Sequence, residues 1–265
     1  MRIHPTAIIA PEARIADDVR IGPNVVIEGP VEIGAGSVIG PNAVLTGRVR
    51  LGTKNKLGPG VVLGADPQDL TFDLSTESGV WIGDGNTLRE YVTIHRATTA
   101  GNDTTVGHHN YLMVGVHLGH DVRIGSQCVL ANNTLLAGHV TLDDRVVTGG
   151  GAVFHQYVRV GEGVMIQGLA RAGMDIPPFC IASLTNTVNG LNAIGLRRSG
   201  RGAEERAELR RAFDLLYRSG LNVTQAKERA REHEWTGAAR TFFDFVAAPS
   251  KRGLTPFAKH RQSEE

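Results

Sequence analysis

The apolar residues of this chain recur at every sixth position. Counted from Ile3, each step of six reaches an isoleucine or a leucine as far as Leu63, and a second series runs from Ile82 to Ile166 with two misses. The helical period of 3.6 and simple strand alternation both fail to produce this spacing. A hexapeptide repeat predicts a parallel β-helix, in which three short strands build one triangular coil of about 18 residues. Hexapeptide coils wind against the usual right-handed rule for parallel connections, so we expect a left-handed β-helix.

Two segments interrupt the repeat. Residues 65–80 (ADPQDLTFDLSTESGV) leave the register and are expected to form an external loop. Long loops in compact domains are more often functional than idle. A shorter bulge near Ala100 keeps the six-residue register intact.

The repeat ends near residues 174–179, where MDIPPF contains two prolines that cannot continue a strand ladder. Beyond Gly190 the apolar spacing becomes helical, and the tail after Pro249 is expected to be loose. Three helices are predicted, within residues 202–220, 223–234 and 238–248.

These patterns divide the chain in two. Residues 1–187 are predicted to form a mainly β domain, the left-handed parallel β-helix, and residues 188–265 a small α-helical C-terminal domain. The formal charge of the 265 residues is +1, but 15 Lys/Arg stand against 10 Asp/Glu from Asn186 onward, and 13 against 17 before it. The basic C-terminal part suggests an acidic partner or a phosphorylated ligand. No recognised binding motif accompanies this charge, so no nucleic acid partner is expected.

Cysteine usage and hydropathy indicate the compartment. Cys128 and Cys180 have apolar neighbours and no metal-binding spacing, which predicts buried thiols in a reducing cytosol. No apolar run is long enough to span a bilayer, and the first residues, MRIHPTAIIAPEAR, lack the apolar core of a signal peptide. We therefore expect a cytoplasmic protein without stable membrane insertion.

Five histidines between residues 95 and 155 are the first candidates for chemistry. Coils of 18 residues counted from Ile82 put His120, His139 and His155 on one edge of three consecutive coils, and His95 and His117 towards a different edge. Two edges can meet only if another copy supplies one, which predicts a homotrimer. The aligned histidines span about 10 Å at the strand spacing, too far for one zinc ion. We expect no metal, although a set drawn from two chains stays open.

Acid–base catalysis is the remaining interpretation. Asp121 follows His120 and can orient the imidazole, provided that corner geometry turns the two side chains together. Gly138 occupies the position of His120 one coil later, and its N–H can reach a reacting carbonyl. A base beside an N–H donor is the minimum equipment for acyl transfer to a hydroxyl. No serine or cysteine stands beside His120 as a nucleophile, so direct attack by the acceptor is favoured.

Seven segments carry a resemblance that covers nearly the whole chain. They are DPQDL (66–70), IGDGNTLREYVTIHR (82–96), HLGHDVRIG (117–125), LANNTLLAGHV (130–140), FHQYVRVG (154–161), DIPPF (175–179) and LYRSG (216–220). In these segments the chain resembles the UDP-N-acetylglucosamine O-acyltransferase family. The resemblance implies a cytoplasmic homotrimer that transfers a (3R)-hydroxyacyl chain from acyl carrier protein to the glucosamine 3-hydroxyl. This reaction is the first step of lipid A synthesis, and it uses no cofactor.

The resemblance also assigns roles to residues. It makes His120 the general base, Asp121 the carboxylate that orients it, and Gly138 the oxyanion-hole glycine. The substrate contacts that it implies are Gln68 and Asp69 in the glucosamine loop, His95 across the subunit interface, His117, His139, His155 and Gln156 around the sugar, phosphate or acyl chain, Gly168 at the end of the acyl groove, and Asn192 and Arg198 on the nucleotide side.

Three departures fall on the acceptor side. Thr71 stands where the family usually has lysine, Ile194 where it has glutamate, and Ser199 where it has arginine. A related sugar nucleotide, including a 3-amino sugar that would give an amide, therefore stays open. So do an acetyl-CoA-dependent hexapeptide acetyltransferase, an interfacial-histidine metalloenzyme and an inert scaffold. Gly168 leaves room for a long hydroxyacyl chain, although its neighbour Gln167 replaces a usual glycine.

Overall fold

The computed structural model describes residues 2–258, and most of this chain is a stack of very short parallel strands. The strands are, in chain order, β1 (Arg2–Ile3), β2 (Ile8–Ile9), β3 (Arg14–Ile15), β4 (Arg20–Ile21), β5 (Val26–Glu28), β6 (Glu32–Ile33), β7 (Val38–Ile39), β8 (Val44–Thr46), β9 (Arg48–Leu51), β10 (Lys56–Leu57), β11 (Val62–Ala65), β12 (Gly79–Ile82), β13 (Thr87–Leu88), β14 (Thr93–His95), β15 (Asp103–Val106), β16 (Tyr111–Leu112), β17 (His117–Leu118), β18 (Arg123–Ile124), β19 (Val129–Leu130), β20 (Leu135–Leu136), β21 (Thr141–Leu142), β22 (Val147–Thr148), β23 (Val153–Phe154), β24 (Arg159–Val160), β25 (Met165–Ile166), β26 (Arg171–Ala172), β27 (Cys180–Ser183) and β28 (Thr187–Leu191).

Three sheets form the faces of the stack. Every third strand shares a face: the first face begins with β1 and β4, the second with β2 and β5, and the third with β3 and β6. Within most coils the partners are 18 residues apart, as Ile3 and Ile21 are. The Ile and Leu side chains of the six-residue series point into the prism, and from Ile21 onward they are almost fully buried. Burial of these side chains is the main stabilising term of the fold.

Corners between the strands use the left-handed backbone region. Asn24, Asn42 and Asn133 have φ values of 56–58° there, a conformation that asparagine tolerates better than most residues. The expected parallel β-helix is confirmed, and its corners explain why Asn, Asp and Gly recur between the apolar steps.

Both interruptions of the repeat are visible in the strand register. The external loop separates β11 from β12. The second bulge lies between β14 and β15, and there Ile82 pairs with Val106, so this coil holds 24 residues rather than 18. Six extra residues preserve the apolar phase but shift the count of coils. The prediction that His95 and His117 lie towards a different edge is therefore wrong: Thr93 pairs with His117 on the second face.

The C-terminal region adds four helices: α1 (Ala193–Arg198), α2 (Ala203–Tyr217), α3 (Val223–Ala230) and α4 (Gly237–Ala247). Leu209, Phe213 and Phe242 are buried between them. The predicted domain boundary at 187/188 falls within β28, which pairs antiparallel with β27, and its position stays a prediction. No helix in the described part of the chain is long and apolar enough to cross a bilayer.

The segment after Pro249 packs back onto the β-helix. Leu254 forms a strand bridge with Asp175, and Phe257 forms one with Val188. The expectation of a loose tail is therefore wrong up to residue 258, because apolar residues anchor it; residues 259–265 lie outside the described part of the chain.

Both cysteines are fully buried free thiols, as predicted. Burial raises the pKa of Cys128 to about 12, so this thiol is neutral at physiological pH.

Candidate active site

His120 and Asp121 form a hydrogen-bonded pair at the corner after β17. The Nδ1–H of His120 donates to Asp121 Oδ2 over 2.9 Å. Asp121 adopts a left-handed backbone (φ 58°), which turns its side chain back towards its neighbour. The two side chains are only 12% and 11% exposed. The corner geometry that the pair needs is present.

Thr98 completes the environment of Asp121. Its backbone N–H and its hydroxyl donate to Asp121 Oδ2 over 3.1 and 2.7 Å. Burial alone would raise the pKa of Asp121, but the hydrogen bonds from Thr98 and His120 hold it below its usual value. An ionised Asp121 keeps the His120 proton on Nδ1 and leaves Nε2 free as a base. Sequence reasoning missed Thr98, because it lies in the six-residue insertion and not in the repeat.

Gly138 packs directly on the His120 ring. A Cβ built on Gly138 would overlap Cε1 and Nε2 of His120, so only glycine fits here without moving the imidazole. Within residues 2–258 the Gly138 N–H has no hydrogen-bond acceptor. That N–H is free to donate to a ligand near Nε2.

His139 lies one coil beyond Asp121. Its Nε2 is 3.8 Å from Asp121 Oδ2, and its ring stacks on Tyr157 with centroids 4.6 Å apart. Lys251 Nζ lies 4.0 Å from the centre of the Tyr157 ring. Burial lowers the pKa of His139; Asp121 opposes this, and nearby positive charges, Lys251 among them, add to it. Sequence reasoning missed Tyr157 and Lys251, since no motif connects the tail to this corner.

His95 and His117 meet within one chain. Their ring centroids are 5.1 Å apart, and His117 Nδ1 lies 2.8 Å from the Thr93 hydroxyl. His95 Nδ1–H donates to the Asp66 carbonyl over 2.5 Å. Burial lowers the pKa of His117, and the proximity of His95 lowers it further. The trimer argument drawn from the separation of these two histidines therefore fails, for the reason given by the 24-residue coil.

The external loop carries Gln68 and Asp69, both exposed. The Asp69 carboxylate accepts from the N–H and the hydroxyl of Thr71 over 2.9 and 2.8 Å. These bonds lower the pKa of Asp69, and the charge of His120 contributes, so Asp69 lies within electrostatic range of the base. Thr71, a departure from the family pattern, thus orders the neighbouring carboxylate.

His155 and Gln156 line a cavity of about 620 Å³ near the C-terminal end of the prism. Arg171 and Thr185 contribute to its other walls. Gly168 is exposed, and a Cβ there would meet the Gly150 carbonyl oxygen at 3.3 Å. Gly168 lies between β25 and β26, the corner that joins the first and second faces.

Asn192 and Arg198 lie at another corner. Asn192 Oδ1 accepts from the Gly195 N–H and caps α1, while its Nδ2 donates to the Gly163 carbonyl. Gly163 joins the third face to the first, whereas His120 joins the second to the third. Arg198 is exposed in the last turn of α1. One chain therefore does not bring these residues to the His120 corner.

The two remaining departures lie beside them. Ile194 is 57% exposed, and the Ser199 hydroxyl donates to the Leu196 carbonyl at the end of α1.

One group of side chains has metal-binding geometry. His120, Asp121 and His139 each offer a ligand atom, and these atoms lie within 4.8 Å of one another; no other such group occurs in the described residues. His155 is not part of it. The Asp121 oxygen already accepts hydrogen bonds from Thr98 and His120, so a metal would compete with the dyad.

Two family models match the chain. One, described as Udp N-acetylglucosamine O-acyltransferase Domain 2, matches residues 175–255. The other, described as Bacterial transferase hexapeptide (six repeats), matches residues 12–47 and 30–65.

Full-length relatives are similar along almost the whole chain. Proteins of Stenotrophomonas maltophilia K279a and Ectopseudomonas mendocina ymp are 42% and 47% identical, over 95% and 96% of this chain and 98% of each relative. Both are named acyl-[acyl-carrier-protein]–UDP-N-acetylglucosamine O-acyltransferase. The crystal structure of UDP-N-acetylglucosamine O-acyltransferase from Moraxella catarrhalis RH4 superposes with a TM-score of 0.91 at 35% identity, covering 96% of this chain and all of that one.

Proposed function

This chain belongs to the UDP-N-acetylglucosamine O-acyltransferase family, and on that premise we propose that it acylates the 3-hydroxyl of UDP-N-acetylglucosamine. The donor is a (3R)-hydroxyacyl chain on acyl carrier protein, and the reaction is the first step of lipid A biosynthesis. The observation that carries the proposal is the His120–Asp121 pair packed against Gly138, with a free N–H beside a free Nε2. The reaction takes place in the cytoplasm and requires no metal or other cofactor.

The proposed chemistry is direct attack. His120 Nε2 accepts the proton of the sugar 3-hydroxyl as its oxygen adds to the thioester carbonyl, and Asp121 stabilises the imidazolium through Nδ1. The Gly138 N–H donates to the oxyanion of the tetrahedral intermediate. Collapse breaks the C–S bond, and the carrier thiolate takes the proton back from His120. The ester product and free carrier thiol leave the base neutral again.

A homotrimer forms part of the proposal. The family roles require Asn192 and Arg198 to share a site with His120, but these residues lie at different corners of one chain. A neighbouring copy can supply the missing corner, and closed cyclic symmetry then completes every site equally. The β-helix of residues 1–187 would supply the base, and the helical part of residues 188–265 the nucleotide contacts.

Donor recognition follows from charge and shape. The positive surplus beyond Asn186 suits the acidic surface of acyl carrier protein. The remaining substrate contacts are those that the family resemblance implies: Gln68, Asp69, His95, His117, His139, His155, Gln156 and Gly168. At Gly168 no side chain closes the acyl groove, which supports a long hydroxyacyl chain.

The test is an acyl-transfer assay with (3R)-hydroxyacyl carrier proteins of several chain lengths, UDP-N-acetylglucosamine, and both wild type and His120→Ala. We expect transfer by the wild type and a loss of about 10²–10⁴ in turnover for the folded variant. Near-normal turnover in the variant would refute His120 as the base.

Two further arms of the assay test the alternatives. A 3-amino sugar nucleotide as acceptor tests the effect of Thr71, Ile194 and Ser199, and acetyl-CoA as donor tests the acetyltransferase interpretation. Preference for either substrate would refute the proposed reaction. Metal analysis of the purified protein tests the metalloenzyme interpretation at His120, Asp121 and His139.

A further inference from the structure

Arg96 holds the external loop from both ends. Its Nε donates to the Asp66 carboxylate over 2.8 Å at the start of the loop. Its two terminal nitrogens donate to the carbonyls of Leu74, over 3.1 Å, and of Thr76 near the loop's end. The guanidinium also covers the Phe72 ring, 4.7 Å from its centre. Because a guanidinium is planar and its donors are fixed, these contacts set the distance between the two ends of the loop.

The loop has little else to order it. Leu70 and Leu74 are exposed, so no apolar core of its own holds it in place. Its local order comes from two short turns, in which Asp69 accepts from Thr71 and Asp73 accepts from Ser75. Such segments are stabilised mainly by their anchors. The Arg96 side chain is only 12% exposed, so its bonds are shielded from competing water.

The anchor is continuous with the histidines of the site. His95, the residue before Arg96, donates to the Asp66 carbonyl, and its ring lies against His117. The dipeptide His95–Arg96 therefore holds Asp66 through both its backbone and its side chain. Three residues further along, Asp69 lies within electrostatic range of His120.

We infer that Arg96 is a positioning residue for the acceptor, because it fixes the loop that presents Gln68 and Asp69 to the sugar. This inference rests on the proposed function. Arg96 touches none of the reacting atoms; it acts through the loop. Its loss should therefore weaken acceptor binding and leave donor binding unchanged.

The test compares Arg96→Ala, Arg96→Lys and Asp66→Asn with wild type. In Arg96→Ala we expect the KM for UDP-N-acetylglucosamine to rise about tenfold or more, with an unchanged KM for the acyl carrier protein. Lysine, which offers one point charge in place of a planar fork, should restore only part of the effect. Asp66→Asn removes only the exposed ion pair, and it should raise the acceptor KM by a smaller factor. Arg14→Ala, at an exposed ion pair near the N-terminus, is the matched control and should behave as wild type.

Hydrogen–deuterium exchange separates this inference from the proposed function. In Arg96→Ala the protected amides of Thr71, Phe72 and Thr76 should exchange at least about tenfold faster, while the β-helix stays protected. Unchanged exchange in the loop would refute the anchor whatever the reaction is. Faster exchange with an unchanged acceptor KM, or an equal rise in both KM values, would refute the positioning role. An inactive wild type would refute the proposed function, and the exchange data would still decide whether Arg96 anchors the loop.

Discussion

At the scale of single residues, the candidate site depends on how one carboxylate is held. Asp121 reaches its neighbour His120 because a left-handed corner turns the two side chains together, and Thr98 fixes the same oxygen. His120, Asp121 and Gly138 could be chosen from the sequence, because the 18-residue spacing is intact between them. Thr98, Tyr157 and Lys251 could not, because an insertion and the C-terminal tail bring them in from outside the repeat.

The buried histidines predict how stability depends on pH. The pKa of His117 is lowered from 6.5 by burial and by His95, so the unfolded chain binds more protons than the folded chain as the pH falls through this region. The stability contributed by neutral His117 is present above pH 6.5 and is lost as the pH falls from there through the folded pKa.

Urea unfolding of wild type and His117→Asn between pH 7.5 and about pH 5 measures this effect. The midpoint of the wild type should fall with pH, and the variant should show a shallower fall. His139, whose pKa is lowered in the same direction, retains the remaining slope. Identical slopes for both proteins would contradict the prediction.

At the scale of elements, most strands have only two residues, so each strand exposes one side chain and buries the other. In β20 Leu135 is 43% exposed, whereas Leu136 is fully buried. The six-residue phase predicts this difference correctly for every coil after the insertion. It fails only for statements about which coil a residue occupies, as at His95 and His117, because apolar phase counts hexads and does not count corners.

The two leucines give a matched test of the inward series. Leu136→Ala should lower the free energy of unfolding by about 2–5 kcal/mol, because it leaves a cavity in a closed stack. Leu135→Ala should cost about 1 kcal/mol or less. Denaturant unfolding of both variants measures the difference. Equal losses would contradict an inward-facing series.

At the scale of the whole molecule, the family roles are divided between corners that one chain keeps apart. His120 lies where the second face meets the third, and Asn192 lies against Gly163 where the third meets the first. No periodicity in the sequence could have revealed this division, since it follows from where α1 docks on the prism. The proposed trimer rests on this division and not on the histidine spacing.

Mixed assemblies test the proposed trimer. His120→Ala and Arg198→Ala should each be nearly inactive alone. Co-expressed in equal amounts, they should recover about a quarter of wild-type sites, because some sites then combine an intact base with an intact arginine from another copy. Steady-state activity of the purified mixture measures the recovery. No activity above the sum of the separate variants would contradict sites shared between chains.

The six-residue insertion has a consequence for how this protein can vary. A solenoid tolerates a change of length at a corner only in whole hexads, since any other number would turn the following apolar side chains outward. The insertion between β14 and β15 satisfies that condition, and it also delivers Thr98 to Asp121. Shortening it by one hexad would leave the core undisturbed and remove a partner of the dyad. The protein thus contains a segment whose length is adjustable for folding but fixed for chemistry.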